Sequence, residues 1–460
     1  MKKVYYPLRY TYIILQLSSC RGFHQERRDI VEEQLKRALR TPEVLLIGIN
    51  GVVGGGIFLL PGQVTKLAGR HALWAYLVAG LICILIGLAF AEASSMFSRT
   101  GGAYVYTEQA FGKTAGFTVG WMSWLTYVAG WAALSNGFVS YLSSLLPGLS
   151  AYRSLTMVVV IALLAVLNTL GVKRGSLAIN IFSIAKLIPL LLLIIIGLFH
   201  SSTAVSTLLP ATNHFWQAVL ILIFAYGGFE MASIPTGEMV NPRKTVTIAV
   251  LGTLTGVTVF YMLIQYAAVH LDPNLASTKA PLASAGGMMF TGGLVVMTIG
   301  AALSILGTKS GVALSSPRSL YALALGKSLP TVFAKVHPRF KTPVAAIWTT
   351  SILVMILAVS GTFEKLVLVN VAARLYEYLM VCLAVVVLRF KAKSHPRPFK
   401  IPFGIFIPTV AALLSLWLLA QETAKELLMA VLALAVGMVI YFFSRRKPVE
   451  GSDSTGMAES

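Results

Sequence analysis

Apolar runs of about 20 residues, each able to cross a hydrocarbon core of roughly 30 Å, recur along nearly the whole chain. They fall at 42–69, 72–97, 117–146, 154–170, 177–199, 215–238, 245–269, 287–308, 343–360, 363–388, 404–420 and 426–443. Within a bilayer every backbone N–H and C=O must find its partner inside the protein, which leaves helices and closed barrels as the only spanning structures. Runs of this length without period-two alternation are helices. The sequence therefore predicts an all-α membrane protein of about 12 transmembrane helices. Composition agrees, with 57% hydrophobic and 12% charged residues against roughly 25% charged in an ordinary soluble domain. The connections are short, so the expected organisation is a tail over 1–41, one transmembrane domain over 42–445 and a second tail over 446–460.

A net charge of +20 raises the question of nucleic acid, and the placement of the charge answers it. With a cytoplasmic N-terminus, 29 of the 37 Lys and Arg fall in cytoplasmic segments, six in outer loops, and two, Lys186 and Arg374, inside helices. The inside set includes Lys173 with Arg174, Arg243 with Lys244, the run from Lys309 to Lys341 and the run from Arg389 to Lys400. Such asymmetry is the positive-inside pattern of a cell-membrane protein. It predicts a multi-pass protein with both termini cytoplasmic and argues against a nucleic-acid partner. Cys20, Cys83 and Cys382 are far apart, and the seven histidines lie in loops or at segment ends. No metal site, nucleophile or cofactor is expected from them, and no enzyme.

Glycines interrupt two apolar segments at matching places: Gly54, Gly55 and Gly56 in the first, Gly227 and Gly228 in the sixth. Segments one to five and six to ten would then be two repeats of opposite topology, with two helices added. Interrupted helices at corresponding positions are the best sequence pointer to a transport site, since unwound backbone is tolerated in a membrane only where it lines a cavity or is buried in protein. Glycine also permits positive φ there. The half-helix that starts at the triple glycine directs free N–H groups and a positive dipole end at the break, which suits a carboxylate. The half-helices that end near Val52 and near Phe224 and Ala225 leave carbonyls open, which suits an ammonium. A zwitterion carrying both groups on one carbon satisfies both ends, a physical reason to favour an α-amino acid.

Ionisable residues at membrane depth cost about 2.5–3.5 kcal/mol each on insertion scales, so each is a functional suspect. Lys186 lies about nine residues into its segment, roughly 14 Å deep at 1.5 Å per residue, and is a candidate proton carrier. Glu230 follows the second break and is a candidate gate or proton site. Arg374 and Glu377, three apart, are expected to pair on one helix face. Glu92 is expected to pair with Arg99, and Glu238 with Arg243 or Lys244. Phe224 and Tyr226 flank the second break as a candidate aromatic lid.

Four motifs carry a resemblance. They are G-V-V-G-G-G-I-F-L-L-P-G at Gly51 to Gly62, A-E-A-S-S-M-F-S-R-T-G-G-A-Y-V-Y at Ala91 to Tyr106, and F-A-Y-G-G-F-E followed by E-M-V-N-P-R-K through Lys244. The fourth is S-P-R-S-L-Y-A-L-A-L-G-K-S-L-P at Ser316 to Pro330. In this order they make the chain, from about 42 to 445, resemble the amino acid, polyamine and organocation transporter superfamily. The resemblance implies a LeuT-type 5+5 inverted repeat with two discontinuous helices and alternating access. It implies a carboxylate site at the amides of Gly54, Gly55 and Gly56, and an amine site at the carbonyls of Val52, Phe224, Ala225 and Gly227. Relatives often have serine where Gly55 stands, so a hydroxyl contact is missing here. In proton-coupled relatives a lysine on the fifth helix takes the place of a sodium ion; Lys186 matches it, with Ser304 and Thr308 expected nearby. The outer loop from Pro147 to Tyr152 lacks the cysteine through which some relatives bind a partner subunit, so none is expected. The expectation is a secondary amino acid carrier using protons, with a polyamine or organic-cation carrier and a non-transporting nutrient sensor as the alternatives.

Overall fold

Twelve residues of helix rise only about 18 Å, well short of the roughly 30 Å of a hydrocarbon core, and α1 (Thr41–Val52) stops there. The computed structural model describes residues 40–97, 102–170, 186–199, 214–233, 239–393 and 395–446. Beyond a non-helical stretch, α2 (Gly56–Ala68) continues the first span, and α3 (Ala72–Met96), α4 (Ala103–Phe111), α5 (Lys113–Leu145) and α6 (Arg153–Leu170) follow. Next come α7 (Leu187–Phe199) and α8 (Phe215–Tyr226), the latter followed by a 3-10 turn at Phe229–Ser233. The second half continues with α9 (Pro242–Leu271), α10 (Pro281–Met289), α11 (Gly293–Leu325), α12 (Val344–Ser360) and α13 (Phe363–Lys391). It ends with α14 (Phe406–Ala420) and α15 (Ala424–Arg446).

All regular elements among the described residues are helical, and six helical stretches are long and apolar enough to cross a membrane, with shorter apolar helices between them. The chain is thus a multi-pass membrane protein. Among the described residues the helices follow the expected runs, with departures in two segments. In segment six the α-helix ends at Tyr226, before the 3-10 turn; segment eight, expected over 287–308, is interrupted after Met289 and runs on as α11 to Leu325.

Close helix approach is bought with small residues, as membrane packing requires. A Cβ on Gly87 of α3 would sit 2.6 Å from Leu254 Cδ1 of α9, and Gly80, two turns away, abuts Thr258. The 33-residue α5 is packed between α11 and α13 and carries an unbroken stretch of buried residues from Val128 to Val139. On the outside the pattern inverts: Leu155, Val159, Leu163 and Leu167 form an exposed stripe on α6, as do Leu428, Leu432 and Val436 on α15. Stripes of this extent are the lipid-facing surface of a bundle.

Two faces cap the bundle. On one, Arg389 makes a two-point ion pair with Glu92, whose carboxylate also accepts from the Ile401 N–H at 2.9 Å. There Lys391 donates to the Ala110 carbonyl at 3.0 Å. This is the basic face. On the opposite face Gln63 of α2 donates to Glu364 of α13 at 3.1 Å. Glu92 thus pairs with Arg389 on a distant helix, because α13 returns to the end of α3. Arg99, Glu238, Lys173, Arg174 and Cys20 lie outside the described residues.

Candidate substrate site

The two interruptions meet at the centre of the bundle. Val53 to Gly55 separate α1 from α2, and Gly227 and Gly228 separate α8 from its 3-10 turn. Gly228 adopts φ +111°, a backbone that glycine alone adopts without strain. Its carbonyl lies 2.7 Å from where a Cβ on Gly51 would stand, and the Gly51 carbonyl abuts Gly228 in return. The broken strands of helix therefore touch backbone to backbone.

At the triple glycine the reason for glycine differs from the one expected. None of Gly54, Gly55 or Gly56 has positive φ; what they supply is space. A Cβ on Gly54 would lie 3.0 Å from Thr308 Oγ1, one on Gly55 2.5 Å from Leu134 Cδ2, and one on Gly56 3.1 Å from the Ala225 Cα. The break in the first span is a place where α5, α8 and α11 crowd the main chain.

A cavity of about 70 Å³ lies between the breaks. Gly54, Gly55, Gly56, Val52, Phe224, Ala225 and Gly227 all border it. The Gly54 N–H is already donated to the Val52 carbonyl at 2.8 Å, so the amides left without an intrahelical acceptor are those at the head of α2, from Gly55 onward. On the carbonyl side, the Tyr261 hydroxyl of α9 lies 2.9 Å from Val52 O and 3.2 Å from Ala225 O. One hydroxyl thus ties the end of α1 to the end of α8. Nothing in the local sequence marks Tyr261; only the crossing of α9 behind both breaks brings it there.

Tyr226 departs from the expectation of a lid. It is fully buried, its hydroxyl donates to the Tyr76 carbonyl at 2.9 Å, and its ring packs on Tyr261. One residue on a helix turns about 100°, so Phe224 and Tyr226 face different ways, and Phe224 alone borders the cavity. Its ring meets that of Phe363 edge to face, with centroids 6.2 Å apart. Phe363 borders a second cavity of about 260 Å³ that opens on the opposite face, so the aromatic pair is the partition between the two spaces.

The charged residues pair across elements. Arg374 donates to Glu230 at 2.6 Å, and Glu230 also accepts from the Gly228 N–H at 2.9 Å and the Tyr378 hydroxyl at 3.2 Å. The expected Arg374–Glu377 pair is not formed: Glu377 accepts from Ser123 of α5 at 2.7 Å instead. Arg374 takes the cross-helix partner because Gly227 has no side chain; a Cβ there would collide with the guanidinium. One turn earlier, Asn370 donates through Nδ2 to the Thr126 carbonyl at 2.5 Å.

Lys186 is 3% exposed and donates to both the backbone and side-chain oxygens of Asn50 near the end of α1, at 3.2 and 2.5 Å. Ser304 and Thr308 do not bond it: the Thr308 hydroxyl donates to the Ser304 carbonyl at 2.9 Å, and Ser304 Oγ has no partner among the described residues. A second buried lysine escaped the sequence reading. Lys309, counted with the cytoplasmic run, is wholly buried at the middle of α11, its Nζ 5.1 Å from the centre of the Phe138 ring. The apolar stretch on both sides of it was the available signal. Among the described residues no cluster of His, Cys, Asp or Glu has the makings of a metal site.

A helical membrane protein whose spans break around a shared central cavity, with open amides on one side and carbonyls on the other, belongs to the carriers of small solutes. The chain is a member of the amino acid permease family, whose sequence profile matches residues 39–444, and with it of the amino acid, polyamine and organocation superfamily. It is 31% identical over 437 residues to the serine/threonine exchanger SteT of Bacillus subtilis, covering 90% of this chain and 98% of that protein. It is 28% identical to the methylthioribose transporter of the same organism, covering 90% of this chain and 95% of that one. It is 27% identical to the branched-chain amino acid permease BcaP, again from Bacillus subtilis, over 90% and 94% of the two chains. These are transporters and not enzymes, as is the family.

Proposed function

We propose that this protein is a secondary amino acid carrier working by alternating access, with the substrate's charged ends held by the two helix breaks. The observation that carries the reading is their opposition across one cavity: amides at the head of α2 for the carboxylate, and the carbonyls of Val52, Phe224, Ala225 and Gly227 for the ammonium. Gly54 serves by admitting Thr308 closely rather than by its amide. We take residues 42–445 as one transporter domain of LeuT-type 5+5 inverted-repeat architecture with about 12 spans. Tails lie at 1–41 and 446–460, the basic face is cytoplasmic, the membrane is that of the cell surface, and no partner subunit is required.

Transport is coupled to protons through Lys186. Its bond to Asn50 ties the amine to the last turns of α1, so gain or loss of a proton there acts on the helix whose break forms half the site. Glu230, with three donors on it, anchors Arg374 and the Gly228 turn. The phenyl partition of Phe224 and Phe363 closes the site from the opposite face. The relatives' names differ in cargo, so identity alone does not choose a side chain. The guanidinium of Arg374 in the cavity wall weighs against a polyamine.

Uptake of a radiolabelled amino acid panel into proteoliposomes, with and without an imposed inward proton gradient, tests this reading. Gradient-driven uptake by the wild type, and loss of the gradient's effect in Lys186→Ala, are expected. Absence of amino acid flux in folded protein overturns the carrier reading. Gradient-insensitive exchange overturns the role of Lys186.

A further inference from the structure

One cation at the second break has two buried carboxyl groups within reach, and it is bonded to only one of them. Arg374 donates to Glu230 at 2.6 Å. Glu377, 6% exposed and three residues further along α13, has one hydrogen bond among the described residues, from Ser123 at 2.7 Å. Residues three apart on a helix are neighbours, with about 5–6 Å between Cβ atoms, and the charges that act on Glu377 are those of Glu230 and Arg374. The other elements packed against α13 bring it no second cation. Tyr127 of α5 lies in the field of all three groups. Glu92 of α3 is spent on Arg389, and Glu108 of α4 lies against Gly116, about two turns before Ser123. Tyr226 of α8 donates to the Tyr76 carbonyl, and Cys83 and Cys382 are buried thiols. α14 has no titratable side chain, and those of α15 lie at its ends, Lys425 and Glu426 at one and Tyr441 against Phe117 at the other. With Arg374 on Glu230, an ionised Glu377 would be a bare charge held in a low-dielectric interior by a single hydroxyl, which burial penalises heavily.

We propose that Glu377 is a proton-binding site and that its proton decides which carboxylate holds Arg374. In this structure Glu377 carries the proton and Arg374 rests on Glu230. The proton leaves to water on the basic side, toward which α13 carries Glu377 about 4.5 Å beyond Arg374, and a carboxylate remains beside the guanidinium. Arg374 has donors to give it: Nε is unbonded among the described residues, and the bonds to Glu230 and Tyr378 both come from one terminal nitrogen. As the guanidinium turns to Glu377, Glu230 keeps only the Gly228 N–H and the Tyr378 hydroxyl. The ion pair is what ties the Gly228 turn and the 3-10 turn after it to Arg374 of α13. The second break is therefore freed when the proton leaves and clamped when it returns. The inference deepens the carrier reading by adding a proton site at this break to the one at Lys186, and it is read without cargo, so the two fail separately.

Infrared spectra of the full chain in liposomes, with no cargo added, test the site, because a protonated carboxyl has a C=O stretch that a carboxylate lacks. Glu422 supplies such a band of its own, so the comparison at neutral pH is between Glu422→Gln and Glu422→Gln combined with Glu377→Gln. The band is expected in the first protein and its loss in the second; identical spectra overturn the proton site. Hydrogen exchange over residues 227–233, corrected for the intrinsic pH dependence of amide exchange, tests the switch. Wild-type protein is expected to exchange several-fold faster there at alkaline pH. Glu377→Gln, which keeps an acceptor for Ser123 but cannot ionise, is expected to lose that rise, and Glu377→Asp to retain it. Wild-type exchange that does not change with pH overturns the switch, and since that measurement needs no substitution, poor folding of a variant does not protect the inference. Both signatures in a protein without amino acid flux uphold the site and remove the carrier reading.

Discussion

Arg374 lies buried against the bare Cα of Gly227 and is neutralised by Glu230. Removing one member of such a pair strands the other in a low-dielectric interior, at a cost of about 3–5 kcal/mol, whereas replacing both by apolar residues is often near neutral. Glu230→Gln is therefore expected to lower the melting temperature of the detergent-solubilised protein markedly. Glu230→Leu combined with Arg374→Met is expected to recover most of the loss without restoring transport. A Glu230→Gln protein as stable as wild type would show that the ion pair does not hold the second break. At this scale the sequence identified the participants better than the partnerships. Lys186, Glu230, Arg374 and Glu377 stand out as ionisable residues at membrane depth. The three-residue spacing of Arg374 and Glu377 suggested the wrong bond, because helix rotation and the gap at Gly227 decide which neighbour is reached. Tyr261 and Asn370 carry no local mark at all: one is among 17 tyrosines, and each matters through a helix distant in sequence.

Helix interruption is the property of elements that makes the site, and the glycines that produce it are not equivalent. Gly228 combines φ +111° with a main-chain contact to Gly51, so Gly228→Ala meets both backbone strain of about 1–3 kcal/mol and a rigid neighbour. Gly54→Ala meets only the Thr308 side chain at 3.0 Å. The expected order of damage, read as melting temperature and as substrate uptake, is Gly228→Ala first and Gly54→Ala far behind. Equal damage from the two would refute the distinction between a conformational glycine and a spacing glycine. Both breaks were legible as glycine clusters in apolar runs. The reason at Gly54 to Gly56 was not, since crowding by Leu134, Ile305 and Ala225 is a property of the assembled bundle. The end of α11 was misread for a related cause: Lys309 looks like the start of a loop until its burial against Phe138 is seen.

Across the whole molecule, two cavities lie in series behind the opposite face, separated by Phe224 and Phe363. The larger is bordered by Glu364 and Glu422, the latter in the connection between α14 and α15 and 6% exposed. Burial, with the Glu426 carboxylate one turn on, pushes the Glu422 carboxyl up from 4.5 to about 8. A carboxyl raised on folding is protonated in the native state and ionised in the unfolded one between those values. Its contribution to stability is then full below about pH 4.5 and declines as the pH rises toward 8. Glu422→Gln is expected to flatten that part of the stability profile and to be more stable than wild type at pH 8, measured by thermal unfolding across the range. An unchanged profile would remove Glu422 as its cause. The all-helical, multi-pass character was readable from hydropathy; the cavities were not, because they are made by faces of helices far apart in the chain.

Tyr261 has one proton and two carbonyls to serve, one at the end of each broken helix. An arriving ammonium brings N–H groups of its own to the same oxygens. Under the proposed carrier reading, cargo that supplies them would relieve the tyrosine of its double duty, and the hydroxyl would work as a clasp that opens when the load is seated; a tyrosine replaced by phenylalanine would then give a carrier whose halves move without waiting to be filled.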